Sequence, residues 1–241
     1  MRLIAVADTH NHQDEQGFAL PDGDWLVHAG DLTRGGTLEE LAIAVNWLRG
    51  QKHRIKIVVA GNHDWCFQRQ PLEARKMLAD AGICYLEDSG ETIEGLQVWG
   101  SPWQPEYNQW AFNLPRGQLG EKWRQIPSGI DLLITHGPPA DCGDRSGNSA
   151  RAGCAELRDE RRRIRPRLHL CGHIHQDGGY WGTPDGIVVN CTTWECERAA
   201  TVLELNAKGI SPVTIPPALV PSLMQAQESL RAAHKEPGVH D

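Results

Sequence analysis

The chain has 241 residues, 40% of them hydrophobic and 23% charged, and its 24 Lys and Arg against 31 Asp and Glu give a formal net charge of −7. That composition describes a soluble globular protein that one layered α/β domain can hold, and the negative balance argues against a general nucleic-acid or membrane surface. An anionic substrate must then be attracted by a local feature.

The first strand-like run, "RLIAVAD" (2–8), is too short before Asp8 to serve as an export signal, and no later stretch spans a bilayer. A cytoplasmic protein with no membrane partner is expected. A second strand covers 25–31. Thr37 and Glu40 then form a capping-box pattern, and Leu38, Leu41, Ala42, Val45 and Leu48 share one helical face that ends at Gly50. A third strand at 55–61 leads to a helix that follows Pro71 and stops at Gly82. Strands at 96–101 and 130–137 precede a helix from Ala152 to Arg165, which Pro166 ends. Further strands cover 167–173, 187–191 and 200–205. Early strand–helix alternation and later short connections predict sheets faced by helices, in the α/β class. The segment from Pro212 onward, with Pro216, Pro217 and Pro221, reads as a partly flexible appendage (212–241) on a 1–211 domain. The seven cysteines are scattered without a C-x-x-C pair, as free thiols in a reducing compartment would be.

Five polar clusters close predicted strands: Asp8-Thr9-His10, Gly30-Asp31, Gly61-Asn62-His63-Asp64, Thr135-His136-Gly137 and Gly172-His173-Ile174-His175. Singly, each can be an ordinary turn. Together they place oxygen and imidazole donors at strand C-terminal ends, where open α/β sheets build sites. The donors fit two metal ions: Asp8, His10 and His175 for one, Asn62, His136 and His173 for the other, and Asp31 between them. Imidazole with carboxylate suits divalent transition metals, Mn²⁺ first with Fe, Zn²⁺ or Ni²⁺ as alternatives, better than Ca²⁺ or Mg²⁺. Two divalent ions outweigh two aspartates, so an acidic protein gains a cationic pocket for phosphate.

The order D-x-H, G-D, G-N-H-[D/E], H, G-H-x-H resembles the calcineurin-like metallophosphoesterase superfamily. "GSPWQPEYNQWAFNLPRG" (100–117), "THGPP" (135–139) and "RPRLHLCGHIH" (165–175) are similar to its metallophosphoesterase-domain-containing branch of animal and bacterial phosphodiesterases. The resemblance implies a β-sandwich of two mixed sheets flanked by helices and a binuclear metal centre. It also implies hydrolysis of cyclic nucleotides or related small phosphodiesters by metal-activated hydroxide. Some animal members lack the first histidine of the last motif, which this chain keeps as His173. Where phosphoprotein phosphatases carry G-D-x-V-D-R-G, this chain reads "GDLTRGG" (30–36), so Arg34 is a phosphate clamp only by proximity to Asp31.

Within "GNHD", the expectation is that His63 protonates the leaving group and that Asp64 orients His63; the alternative leaves Asp64 facing solvent. His12, Trp103 and Trp110 join Arg34 as candidate substrate contacts, although His12 can be a plain loop residue and the aromatics can pack a small core of their own. The basic run Arg161, Arg162, Arg163 and Arg165 lies late on a helix, where positive charge favours the dipole and a solvated face is expected. The partner is a small phosphate ester, nucleic acid is disfavoured, and the oligomeric state is open. Alternative functions are a phosphomonoesterase or nuclease of the same superfamily and a non-catalytic interaction scaffold.

Overall fold

The computed structural model describes residues 1–14, 17–147, 150–206 and 209–214. In chain order its elements are β1 (Arg2–Val6), β2 (Trp25–Ala29), α1 (Leu38–Gly50), β3 (Ile55–Val59), α2 (Cys66–Arg69), α3 (Pro71–Asp80), β4 (Cys84–Tyr85), β5 (Ser89–Ile93), β6 (Leu96–Ser101), β7 (Gln104–Pro105), β8 (Asn113–Leu114), α4 (Leu119–Trp123), β9 (Leu132–Thr135), α5 (Ala155–Ile164), β10 (Leu168–Cys171), β11 (Gly179–Thr183), β12 (Gly186–Asn190), β13 (Thr201–Asn206) and β14 (Gly209–Thr214). A single 3₁₀ turn covers His175–Asp177.

Period-two burial on both faces decides the layering. From β1, β2 and β3, the side chains of Leu3, Ala5, Trp25, Val27, Ile57 and Val59 meet those of Leu132, Ile134, Leu168, Leu170 and Val189 from the other sheet. Their neighbours Ile4, Val6, Leu26 and Val58 turn the opposite way and are covered by Leu41 and Leu48 of α1 and Ala74 and Leu78 of α3. Leu133 on the second sheet is covered in the same way by Leu119 and Trp123 of α4 and Leu157 and Ile164 of α5. Four layers result, helix on sheet on sheet on helix. Each fully buried large apolar side chain in this stack contributes about 1.5–3 kcal/mol of transfer free energy.

The first sheet runs β14-β13-β1-β2-β3-β4, with β1 to β4 parallel and the other two strands antiparallel. The second runs β11-β12-β10-β9-β6-β5, parallel through β12, β10, β9 and β6 with antiparallel edges. Both are mixed six-stranded sheets. The parallel strands of each sheet carry their C-terminal ends to one edge of the molecule, where the polar clusters follow.

Helix α1 starts as its sequence dictates, with Glu40 N donating to Thr37 Oγ1 at 3.2 Å and Thr37 N donating to Glu40 Oε2 at 3.3 Å. α5 begins three residues later than the apolar pattern suggests, because Cys154 caps it by accepting from Leu157 N through Sγ. The division expected between 211 and 212 falls inside β14, whose Pro212 pairs with Leu203 of β13; residues 215–241 of the expected appendage lie outside the described residues. Among the described residues, no helix is long and apolar enough to cross a membrane.

Candidate metal centre

Each of five parallel strands delivers donors within a few residues of its last one. β1 leads to Asp8 and His10, β2 to Asp31, β3 to Asn62 and His63, β9 to His136, and β10 to His173 and His175. The donor atoms of Asp8, His10 and His175 lie within 4.8 Å of one another, as do those of Asp31, His136 and His173. Asp31 Oδ2 stands between the two groups, 3.6 Å from His10 Nε2 and 3.3 Å from His136 Nε2. Asn62 Oδ1 lies 2.9 Å from His136 Nε2, and His175 Nε2 lies 3.6 Å from Asp8 Oδ1. The seven candidate ligands therefore converge from both sheets.

The backbone is bent to achieve this. Asp8, His10, Asp31 and His173 adopt φ values of 59°, 45°, 58° and 69°, in the left-handed region that L-residues with a side chain disfavour. Such conformations cost on the order of 1–3 kcal/mol each and persist only where surroundings over-determine them. Here Asp8 N donates to Gly30 O at 2.9 Å, His10 N to Asp31 O at 3.1 Å, and His173 N to both carboxylate oxygens of Asp8 at 3.0 and 3.1 Å. Gly61 is required by close approach: a Cβ there would sit 2.2 Å from Asp31 Oδ1.

Second partners fix the imidazoles. His10 Nδ1–H donates to Thr33 O at 3.0 Å and His136 Nδ1–H to Ala29 O at 2.9 Å, so both rings turn Nε2 toward the aspartates. Burial outweighs the nearby carboxylates at His10 and lowers its pKa to about 4; burial and then the His136 charge lower His173 to about 3. Both rings are neutral, as ligation requires. At His136 burial acts the same way, but Asp31 and Asp8 more than offset it and hold the pKa up at about 9. Two aspartates, 0% and 2% exposed, thus demand positive charge at this point. Imidazoles around buried carboxylates are the donor set of first-row transition metals, and the residues present fit such ions.

His63 sits at the rim. Its backbone N–H donates to Asp31 Oδ1 at 2.8 Å, its Nδ1–H donates to Arg34 O at 2.6 Å, and its ring stacks on Trp110 with centroids 4.1 Å apart and 27° between planes. The expected pairing with Asp64 does not occur. Asp64 is fully buried and accepts from Gly61 N (2.8 Å), Leu32 N (3.2 Å), Thr33 N (2.9 Å) and Thr33 Oγ1 (2.6 Å), which ties the loop after β2 to the loop after β3. Burial and the neighbouring Asp31 raise its pKa to about 6 against those hydrogen bonds. The orienting partner of His63 is a backbone carbonyl instead, and Asp64 faces neither His63 nor solvent.

Of the candidate substrate contacts, Arg34 donates through Nε to His10 O at 2.9 Å, and its Nη2 lies 3.4 Å from His12 Nδ1. His12 Nε2 in turn lies 3.8 Å from Glu195 Oε2. Trp110 flanks His63, whereas Trp103 is engaged elsewhere. Its indole N–H donates to Asp88 at 2.9 Å, its ring meets Phe112 edge-on, and Lys122 Nζ lies 4.3 Å from its centroid. The aromatic loop thus splits between the rim and its own packing.

The loop after β12 also closes on the site, without a histidine to mark it in the sequence. Thr193 N donates to Ala7 O and Glu195 N to Asp8 O, at 2.9 and 2.8 Å, and buried Trp194 lies against His175 with centroids 5.6 Å apart. Three successive residues, Trp194, Glu195 and Cys196, have positive φ. The polar run "TTWECER" after an apolar strand is the same signal as the other clusters, without their histidines.

The family model for calcineurin-like phosphoesterases matches residues 1–177, which contain all of these donors. The chain belongs to that family. Human metallophosphoesterase domain-containing protein 1 is 38% identical over 235 residues, covering 88% of this chain and 69% of the human one. The crystal structure of TT1561 of Thermus thermophilus superposes with a TM-score of 0.64 at 14% identity, covering 88% of this chain and 97% of that one. The 5′-nucleotidase of Candida albicans SC5314 superposes with a TM-score of 0.54 at 14% identity, covering 88% and 50%. As a calcineurin-like phosphoesterase, the chain is a metal-dependent hydrolase of phosphate esters.

Proposed function

We propose that the protein is a binuclear phosphodiesterase acting on cyclic nucleotides or related small diesters. The reading rests on one observation: two donor groups share Asp31, with His63 at their rim. Asp8, His10 and His175 would hold one ion and Asn62, His136 and His173 the other, with Asp31 within reach of both groups. Mn²⁺ is the first choice for a set that mixes imidazole, carboxylate and amide. When bound, the two ions polarise the phosphoryl oxygens and lower the pKa of water. The chain's own contribution is proton delivery and positioning. His63, with Nδ1–H locked on the Arg34 carbonyl, presents Nε2 to the departing oxygen and protonates it. Trp110 and the Arg34 guanidinium supply an aromatic wall and a cation for the ester's two sides.

Mn²⁺-reconstituted protein should contain close to two ions per chain by elemental analysis, and Asp31→Asn should lower occupancy at both positions. Bis(p-nitrophenyl) phosphate should be turned over with a higher kcat/KM than p-nitrophenyl phosphate. A tenfold preference for the monoester would overturn the diesterase reading, and one ion with full activity would overturn the binuclear one. No turnover of any ester by the metal-loaded protein would favour a scaffold.

A further inference from the structure

On the outer face of the second sheet, between α5 and the β11–β12 hairpin, lies a groove of about 500 Å³ whose charged lining is Arg158, Arg161, Arg162 and Arg165 with Asp141 and Asp185. It is toward the strand N-terminal ends, since α5 leads into the start of β10 and the hairpin turn into the start of β12, whereas the metal-centre donors follow the strand ends. Arg158, Arg161 and Arg162 recur at i, i+3 and i+4 on one face of α5, and Arg165 caps its C-terminus. Cys142 and Pro184 give the same groove an apolar side.

Three of the guanidiniums have carboxylates. Arg158 bonds Asp141 at 2.8 Å and Asp159 at 3.1 Å, Arg162 reaches Asp159 at 3.1 Å, and Arg165 lies 4.0 Å from Asp185. Arg161 differs. It is 3% exposed, its Nη2 reaches Thr183 Oγ1, Asp185 O and Gly186 O only at 3.4 Å, and its buried Nε has no hydrogen-bond partner. Among the described residues no carboxylate pairs with it. Favourable placement near a helix C-terminus accounts for the exposed Arg162 and Arg165, because a solvated cation there costs nothing in desolvation. It does not account for burying a guanidinium with an idle donor, which is costly unless an anion completes the site.

We infer that this groove binds the phosphate group of a small phosphorylated molecule, with Arg161 as the central donor. Guanidinium forks match phosphate oxygens bidentately, and Arg162 and Arg165 can swing in from the rim. A volume in the range of small-molecule sites exceeds what a bare phosphate fills, so the ligand carries an organic part against Cys142 and Pro184.

The test uses the full chain with ¹⁵N-labelled arginine in the Asp31→Asn background, which weakens the metal centre and limits hydrolysis of the probe. Titration with phenyl phosphate should move the Arg161 Nε–H resonance saturably, and inorganic phosphate should do so about tenfold more weakly. Arg161→Met should lower affinity for phenyl phosphate at least tenfold by calorimetry. The exposed pair Arg162→Ala/Arg165→Ala, which removes no buried group, should lower it several-fold with an unchanged circular dichroism spectrum. No saturable binding by the parent, or affinity indifferent to both sets of substitutions, would overturn the site. Equal affinities for the two probes would overturn the assignment of an organic part.

Discussion

At the scale of single residues, the division of labour within Asn62, His63 and Asp64 is the most informative feature. The three are adjacent, yet Asn62 faces His136, His63 faces the rim, and Asp64 faces inward to four donors from two loops. His63→Asn should cost about 10²–10⁴-fold in kcat with alkyl or nucleoside esters and much less with p-nitrophenyl esters, because an alkoxide needs a proton as the bond breaks. Metal content should stay at the wild-type level. Equal losses for both leaving-group classes would make His63 a phosphate-positioning residue. Asp64→Asn should behave differently. An amide turns two hydrogens toward groups that are themselves donors, so the variant should lose on the order of 1–3 kcal/mol of stability in urea denaturation while its leaving-group dependence stays that of wild type. The candidate ligands are legible because each is a chemically marked residue at the end of an apolar run. The role of Asp64 is not, since it depends on the amides of Leu32 and Thr33, which the chain brings back from some thirty residues away.

At the scale of elements, visibility followed burial. β2, β9 and β10 are buried along their whole length and read as mainly apolar runs. The edge strands β5, "SGETI", largely exposed, and β11, "GYWGT", half-buried, lack an apolar run, so the sequence does not announce them. β10 also holds a buried polar residue inside its apolar run. His169 Nε2 lies 2.8 Å from Thr135 Oγ1, and because the Thr135 hydroxyl donates to Gly137 O at 2.7 Å, the ring must donate through Nε2–H and leave Nδ1 unprotonated. Burial, and then the charge of Arg161, hold the His169 pKa well below 6.5. The folded state therefore keeps this ring neutral while the unfolded chain takes up a proton. The resulting stability is present above about pH 6.5 and is lost as pH falls, by up to about 1.4 kcal/mol per unit for one proton. His169→Gln retains a donor for Thr135 and removes the titration. In chelator-treated protein, its urea midpoint should fall less steeply than wild type between pH 6.5 and 5; parallel slopes would show that His169 is not a proton-linked group.

At the scale of the molecule, the two sheets are held together by two unlike devices. One is the apolar layer in which Leu3, Val27 and Val59 meet Ile134, Leu168 and Val189. Its presence was legible in the chain, because strands apolar on both faces must be covered on both faces. The other is the donor cluster at one edge, where Asp8, Asp31 and Asn62 come from the first sheet and His136, His173 and His175 from the second. That cluster concentrates left-handed backbone at four candidate ligands and buries two carboxylates. The donors come together only where the sheets are packed, so metal binding and sheet packing are coupled. A ligand that binds only the folded state adds about 2.7 kcal/mol at a hundredfold excess over its Kd. For a chain of this size a kilocalorie moves Tm by about 2–4 °C. Mn²⁺ at such an excess should therefore raise Tm by about 5–10 °C over chelator-treated protein in a thermal melt followed by circular dichroism. Asp31→Asn removes the shared carboxylate, so it should gain little from Mn²⁺. A Tm unmoved by metal in the wild type, or a rise in Asp31→Asn as large as that of the wild type, would mean that the cluster is no clasp between the sheets.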